Sequence, residues 1–315
     1  VFYAKNRDKI DFTKARRIAK GTPALRILVE LGSYILGLPS GIHEYMLPWD
    51  EFKNLSKLYN VDLAKPPHVS EVEKYFLEVG KLLSEEVLAY VFGGLNLVLL
   101  GVKMGTKDID LIVKDRESYN VLLKALLAAG YKPLVESRWS IDDRKAKSAV
   151  ILTKNSLRID LFIGKISGEV SLTPGMEKRA KRGVVYSKLI LRFLSIEDVV
   201  FLKSITGRER DIEDIAILAK KFRINWNAVL RSLEEQGGEI SEKYALAVLE
   251  TIEVLEEAYS VEIPRRVKRM IEKLALKYSV KKALEMGYKK PSEIRKLVKF
   301  PESKIRRILK EIFKE

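Results

Sequence analysis

Asp108-Ile109-Asp110 is the pair of side chains in this sequence best suited to chemistry. On a strand, residues two apart project from the same side, so these carboxylates would stand next to each other. Adjacent carboxylates repel unless a cation lies between them. An all-oxygen donor set suits Mg²⁺ (or Mn²⁺), which keeps part of its water shell and bridges to phosphates. A third carboxylate, Asp160, sits in the apolar run Leu157-Arg158-Ile159-Asp160-Leu161-Phe162, where an unpaired charge would be costly to bury. Ahead of the pair, Gly93-Gly94 closes one apolar run and opens another of helical character. Without side chains there, backbone N–H groups can approach a triphosphate, and the start of a helix adds favourable charge. An Asp-x-Asp pair alone is common at solvated strand ends. The glycines fourteen residues ahead and Asp160 behind make the set far more specific.

The elements that must hold these residues follow from periodicity. Apolar spacing of three and four predicts helices over 23–35 and, more briefly, 49–59, before Pro66-Pro67 breaks the chain. The pattern then alternates. A helix is expected over 69–83, with Val72, Phe76, Val79 and Leu83 on one face. A strand over 89–92, a helix over 95–101, a strand over 109–113 and a helix over 118–129 capped by Gly130 follow. Two strands, 149–153 and 157–163, are joined by a turn at Lys154-Asn155-Ser156. From Ser195 the chain reads as wholly helical, over 197–204, 210–221, 226–236 and 241–259 up to Pro264. Asp198 only approximates a capping box with Ser195. The fold class is α/β (α+β): a mixed sheet with helices against it, then a helical region.

This arrangement resembles the nucleotidyltransferase superfamily, whose pattern is Gly-Gly or Gly-Ser, a helix, Asp-x-Asp and a third Asp on a later strand. The resemblance covers residues 70–165. It implies two-metal phosphoryl transfer from a nucleoside triphosphate, with Asp108 and Asp110 as metal ligands. Asp160 would ligate one ion and help deprotonate the attacking hydroxyl, and Thr106 and Lys107 would steady the phosphates or the loop. Many members carry Gly-Ser, whereas this chain has Gly93-Gly94 and then Asn96, so backbone donors must replace the hydroxyl. The stretch from Leu194 to Ile215 is similar to the helical segment of toxin-type (AbiEii-like) nucleotidyltransferases. By that likeness Lys203 would contact the nucleotide phosphates and Asp211 would shape the same pocket, with Asp214 a lesser candidate. The plain alternative is that Lys203, Arg208 and Arg210 pair with Glu209, Asp211 and Glu213 on a solvated surface.

Composition narrows the partners. There is no cysteine, which excludes disulfides and thiolate sites, and the only histidines are His43 and His68, both expected to be structural. Charged residues make up 32% of the chain, with Lys and Glu foremost, a mix resembling heat-adapted, archaeal-type proteins. Lys and Arg number 58 against 43 Asp and Glu, and the excess of 15 sits mostly at the two ends. Such an excess favours a polyanion, RNA first. The first twenty residues are basic and polar, without the apolar core of a signal peptide, and 87–100 is broken by Gly93, Gly94 and Asn96. A cytoplasmic protein without a membrane partner is expected. Residues 278–315 read as helix, helix, turn, helix and resemble a winged helix-turn-helix module, with Lys304, Arg306, Arg307 and Lys310 on the third helix suited to phosphates in DNA. A small bundle that packs on protein is the alternative. Trp49, Trp139 and Trp226 are expected in cores or interfaces.

The expected organisation is a basic helical region over 1–67, a catalytic domain over 68–195, a helical domain over 196–262 and a C-terminal module over 263–315. Two functions stay open at this level. One is an enzyme moving a nucleotidyl group to RNA (tRNA) or to a partner protein, with an antitoxin as a possible partner. The other is a nucleotide-sensing or inert regulator that binds DNA through its C-terminal helices.

Overall fold

The computed structural model describes residues 69–103, 105–106, 108–134, 149–155, 157–166, 168–298 and 300–313. The N-terminal region 1–67 with its two expected helices, His43 and Trp49, and also His68, Lys107 and Trp139, lie outside the described residues.

α1 (Val69–Leu82) buries Val72, Phe76 and Val79, the expected stripe, with Leu83 just past its end. β1 (Val87–Phe92) runs directly into α2 (Gly93–Leu99), followed by β2 (Asp108–Val113) and α3 (Arg116–Ala128). Asp115 caps α3 by accepting from the Ser118 amide at 2.8 Å, and Gly130 beyond its end has φ of 87°. A short β3 (Lys132–Pro133) precedes the hairpin β4 (Val150–Lys154) and β5 (Leu157–Ile163), whose turn residue Asn155 takes a φ of 55° that Asn tolerates. Next come β6 (Lys165–Ile166), β7 (Val170–Ser171), α4 (Pro174–Arg179), β8 (Arg182–Tyr186) and β9 (Leu189–Phe193). No element was expected over 164–194. β6 and β7 are too short to show a period, and β8 is an edge strand exposed along most of its length.

The remainder is helical: α5 (Ile196–Ser204), α6 (Glu209–Lys221), α7 (Trp226–Glu234), α8 (Gly238–Tyr259), α9 (Arg265–Glu285), α10 (Pro291–Leu297) and α11 (Glu302–Ile312). Among the described residues, no helix is long and apolar enough to cross a membrane.

These residues form two compact units, and the chain does not pass between them at a single point. The first runs to Gly164 and takes back 182–193; the second holds 165–181 and everything from Leu194. Local pairing explains the exchange. In the first unit the strand order is β3-β4-β5-β2-β1-β9-β8, with β2–β5 and β1–β9 parallel and the other neighbours antiparallel. β9 is thus the parallel neighbour of β1 and belongs to the sheet. One face of the sheet packs on α1 and α3 through Val87, Ala89, Val91, Ile109, Leu111, Val113, Ile159 and Leu161. Gly80 of α1 lets the β8–β9 turn come close: a Cβ there would lie 1.7 Å from the Tyr186 carbonyl oxygen.

In the second unit Arg179 at the end of α4 forms a fork with Glu235 at 2.7 and 2.9 Å and bonds Asp198 at 2.8 Å. Asp198 is fully buried and also accepts from Ser232 at 2.7 Å and Ser195 at 2.6 Å. Ser195 does cap α5, accepting from the Asp198 amide. The Asp198 carboxylate, however, serves this tertiary network, as a buried charge requires. Segment 165–181 is tied to the helices by the same groups. Near the C-terminus, Leu276, Val280, Ala283, Ile294, Ile305, Ile308 and Leu309 form a small three-helix core from α9, α10 and α11. The first of the helices expected over 278–315 is the end of the 21-residue α9, since nothing between Pro264 and Gly287 breaks it. Among the described residues no strand follows β9.

Candidate active site

Strand alternation builds the site. With Ile109, Leu111, Ile159 and Leu161 turned into the core, Asp108, Asp110, Arg158 and Asp160 share the opposite face of β2 and β5. Parallel register sets Asp110 beside Asp160 and Asp108 beside Arg158, while Phe92, the last residue of β1, stands beside Asp110 on the other side. The three expected carboxylates are therefore brought to one patch.

Gly93 presses against it. Its φ is 69°, and a Cβ would sit 2.0 Å from Asp110 Oδ2. Gly94 packs on Thr106, whose Oγ1 would be 2.6 Å from a Cβ. Thr106 itself holds the loop: its hydroxyl donates to the Asp108 carbonyl at 2.8 Å and accepts from the Asp108 amide at 3.3 Å. Asn96 is fully buried, and its Nδ2 lies 3.4 Å from the Val91 carbonyl. Gly93→Ala is expected to destabilise the first unit by about 1–2 kcal/mol from the left-handed backbone alone, and more from the displaced carboxylate. Thermal unfolding of the variant measures this; an unchanged midpoint would show that the contact with Asp110 is loose.

Arg158 is the residue that sequence reasoning missed. Asp160 is not alone in its strand: Arg158 Nε and Nη2 donate to its two oxygens at 2.6 and 2.7 Å, and Nε lies 3.9 Å from Asp108 Oδ1. The signal was available, because residues 158 and 160 share a face by the same period of two that pairs the aspartates. Asp160 has a side-chain exposure of 8%, against 48% for Asp108. Among the described residues no three His, Cys, Asp or Glu side chains converge to hold a metal ion.

The second unit holds the other expected residues. Lys203, Asp211 and Asp214 do come together, but they are buried and bonded to one another. The Lys203 ammonium lies 2.5 Å from Asp211 and 2.7 Å from Asp214, and Thr206 Oγ1 adds a 2.7 Å bond to Asp211. Burial pushes the Lys203 pKa down, but the two carboxylates outweigh it and the net shift is upward. Burial likewise pushes Asp211 up, but Lys203 and Thr206 outweigh it and hold it below the ordinary carboxylate range. For Lys203, the pairing is thus buried and not on a solvated surface. On α11, Lys304 pairs with Glu272 at 2.8 Å and Arg306 with Glu302 at 2.5 Å, leaving Arg307 and Lys310 on the exposed face.

Among curated proteins, none matches this chain. Residues 80–259, more than half of it, match the family described as "Nucleotidyltransferase of unknown function (DUF6036)". The matched span contains the glycine pair, all three face carboxylates and the Lys203 cluster, and its description names neither acceptor nor metal. By this match the chain belongs to that family of nucleotidyltransferases.

Proposed function

We propose that the protein transfers a nucleotidyl group from a nucleoside triphosphate to an acceptor hydroxyl, and that the reaction depends on a divalent cation. The observation that carries this reading is the gathering of Asp108, Asp110 and Asp160 on one face of β2 and β5, next to Gly93-Gly94. The residues fit a hard cation such as Mg²⁺ or Mn²⁺: the donors are carboxylates, Asp108 is half exposed, and Asp110 Oδ2 fills the space where Gly93 lacks a Cβ. Asp108 and Asp110 would hold the ion, with Asp160 as the third carboxylate of the superfamily pattern. When bound, such an ion supplies charge for the phosphate oxygens and acidifies the attacking hydroxyl. Thr106 keeps the loop ahead of Asp108 in place, and the missing side chains of Gly93 and Gly94 let Asp110 and Thr106 pack against the start of α2.

RNA is the favoured acceptor, a tRNA end among the candidates. Residues 263–315 carry 18 Lys and Arg against 6 Asp and Glu, which accounts for most of the chain's excess of 15. In the toxin-type reading, Lys203 and Asp211 serve the nucleotide. Lys203 would then have to exchange one of its two carboxylates for a phosphate oxygen. The same basic, three-helix C-terminal region favours a second reading, a nucleotide-sensing regulator that binds DNA.

Incubation of the protein with each α-labelled nucleoside triphosphate, Mg²⁺ or Mn²⁺ and total RNA tests these readings. Label on RNA is the expected result and names the nucleotide. Label on a polypeptide would move the acceptor to a protein partner, such as an antitoxin. Nucleotide binding without transfer to either would favour the regulator.

A further inference from the structure

We propose that Arg158 withholds Asp160 from the cation, so that Asp108 and Asp110 alone ligate a single divalent ion and Arg158 serves as Asp160's fixed counter-charge. This rests on the reading of the carboxylate face given above, and it departs from the three-ligand, two-ion expectation.

Four observations carry it. Both Asp160 oxygens are engaged by one guanidinium fork, at 2.6 and 2.7 Å, the geometry in which arginine–carboxylate pairs are strongest. The pair belongs to one strand, with the two residues on the same face, so the pleat itself holds them together. Asp160 is nearly buried, whereas Asp108 is half exposed; releasing Asp160 would leave a desolvated charge, while Asp108 can take an ion without such a cost. The register also brings Arg158 beside Asp108, with Nε 3.9 Å from its carboxylate, so the guanidinium stands against a further cation there. Arg158 acts through Asp160 and is a positioning residue.

Titration of the full chain with Mn²⁺, reading free Mn²⁺ by electron paramagnetic resonance, tests this without recourse to activity. One site is expected in the native protein. Asp110→Asn should weaken it at least 30-fold, whereas Asp160→Asn should change it less than threefold. Arg158→Met removes the guanidinium fork from Asp160 and should tighten binding at least tenfold or add a second ion. Arg158→Lys, which keeps the charge, should stay within threefold of the native protein. Asp160→Asn weakening Mn²⁺ as much as Asp110→Asn does would overturn the proposal, as would Arg158→Met leaving affinity and stoichiometry unchanged. Mn²⁺ binding that ignores both Asp108→Asn and Asp110→Asn is a separate outcome, and it would remove the cation reading itself. Should Arg158→Met fail to fold by circular dichroism, the contrast between Asp160→Asn and Asp110→Asn decides alone.

Discussion

Asp108→Ala and Asp110→Ala should each lower nucleotidyl transfer by about 10³-fold or more, because the several kcal/mol of charge stabilisation supplied by a bound cation is lost with its ligand. The fold should persist. Asp108 is half exposed, its contact with Arg158 is long at 3.9 Å, and the β2–β5 pairing is made by the backbone. The expected signature is therefore lost transfer with a little-changed melting temperature, measured with labelled nucleotide and by calorimetry. Transfer that survives in both variants would sink the assignment of the site. Lost transfer with a collapsed melting curve would show instead that the pair is structural.

Lys203→Ala is expected to cost about 3–5 kcal/mol of stability, since it leaves the Asp211 and Asp214 carboxylates buried without their shared ammonium. In a chain of this size that lowers the melting temperature by about 10 °C. Replacing all three by apolar residues of similar volume should recover most of the loss, because the charges then vanish together. A Lys203→Ala protein that melts like the native one would mean that water reaches the cluster. The pH dependence follows from the shifts. Asp211 is held below its unfolded value of about 3.9, so its stabilisation is present above that pH and fades as pH falls through the lower folded value. Lys203 is raised above about 10.4, so its contribution is complete below that and fades as pH rises through the folded value. Unfolding monitored from pH 2 to 12 should show losses at both ends in the native protein and flatter limbs in the apolar triple variant.

How much of this was legible in the sequence depends on whether a feature is local. The apolar stripe of α1, the strand bearing Asp108 and Asp110 and the β4–β5 hairpin follow from periods of three to four and of two, and the structure has them within two residues of expectation. The helices from Ser195 to Tyr259 were equally readable, whereas only the end of α9 was expected. β8 and β9 were not. β8 is an edge strand with little to bury, and the pairing of β9 with β1 spans about a hundred residues that no local pattern records. The same holds for Asp198. Its position beside Ser195 suggested a helix cap, while its partners Arg179 and Ser232 lie 19 and 34 residues away. Asp160 shows the opposite failing, since the partner that neutralises it was two residues away and on the same face.

The strand order also fixes how this protein can be taken apart. β1, which carries Phe92 up to the glycines, lies between β2 and β9, and β9 comes only after the chain has supplied segment 165–181 to the other unit. A fragment ending at Gly164 would keep Asp108, Asp110 and Asp160 yet turn β1 from an interior strand into an open edge, ready to pair with another copy and aggregate. A graft of the helices without 165–181 would lose Arg179 and leave Asp198 buried with its main cation gone. Neither half can be inherited, swapped or shuffled by one crossover, so the carboxylate face and the helices must travel through recombination as a single piece.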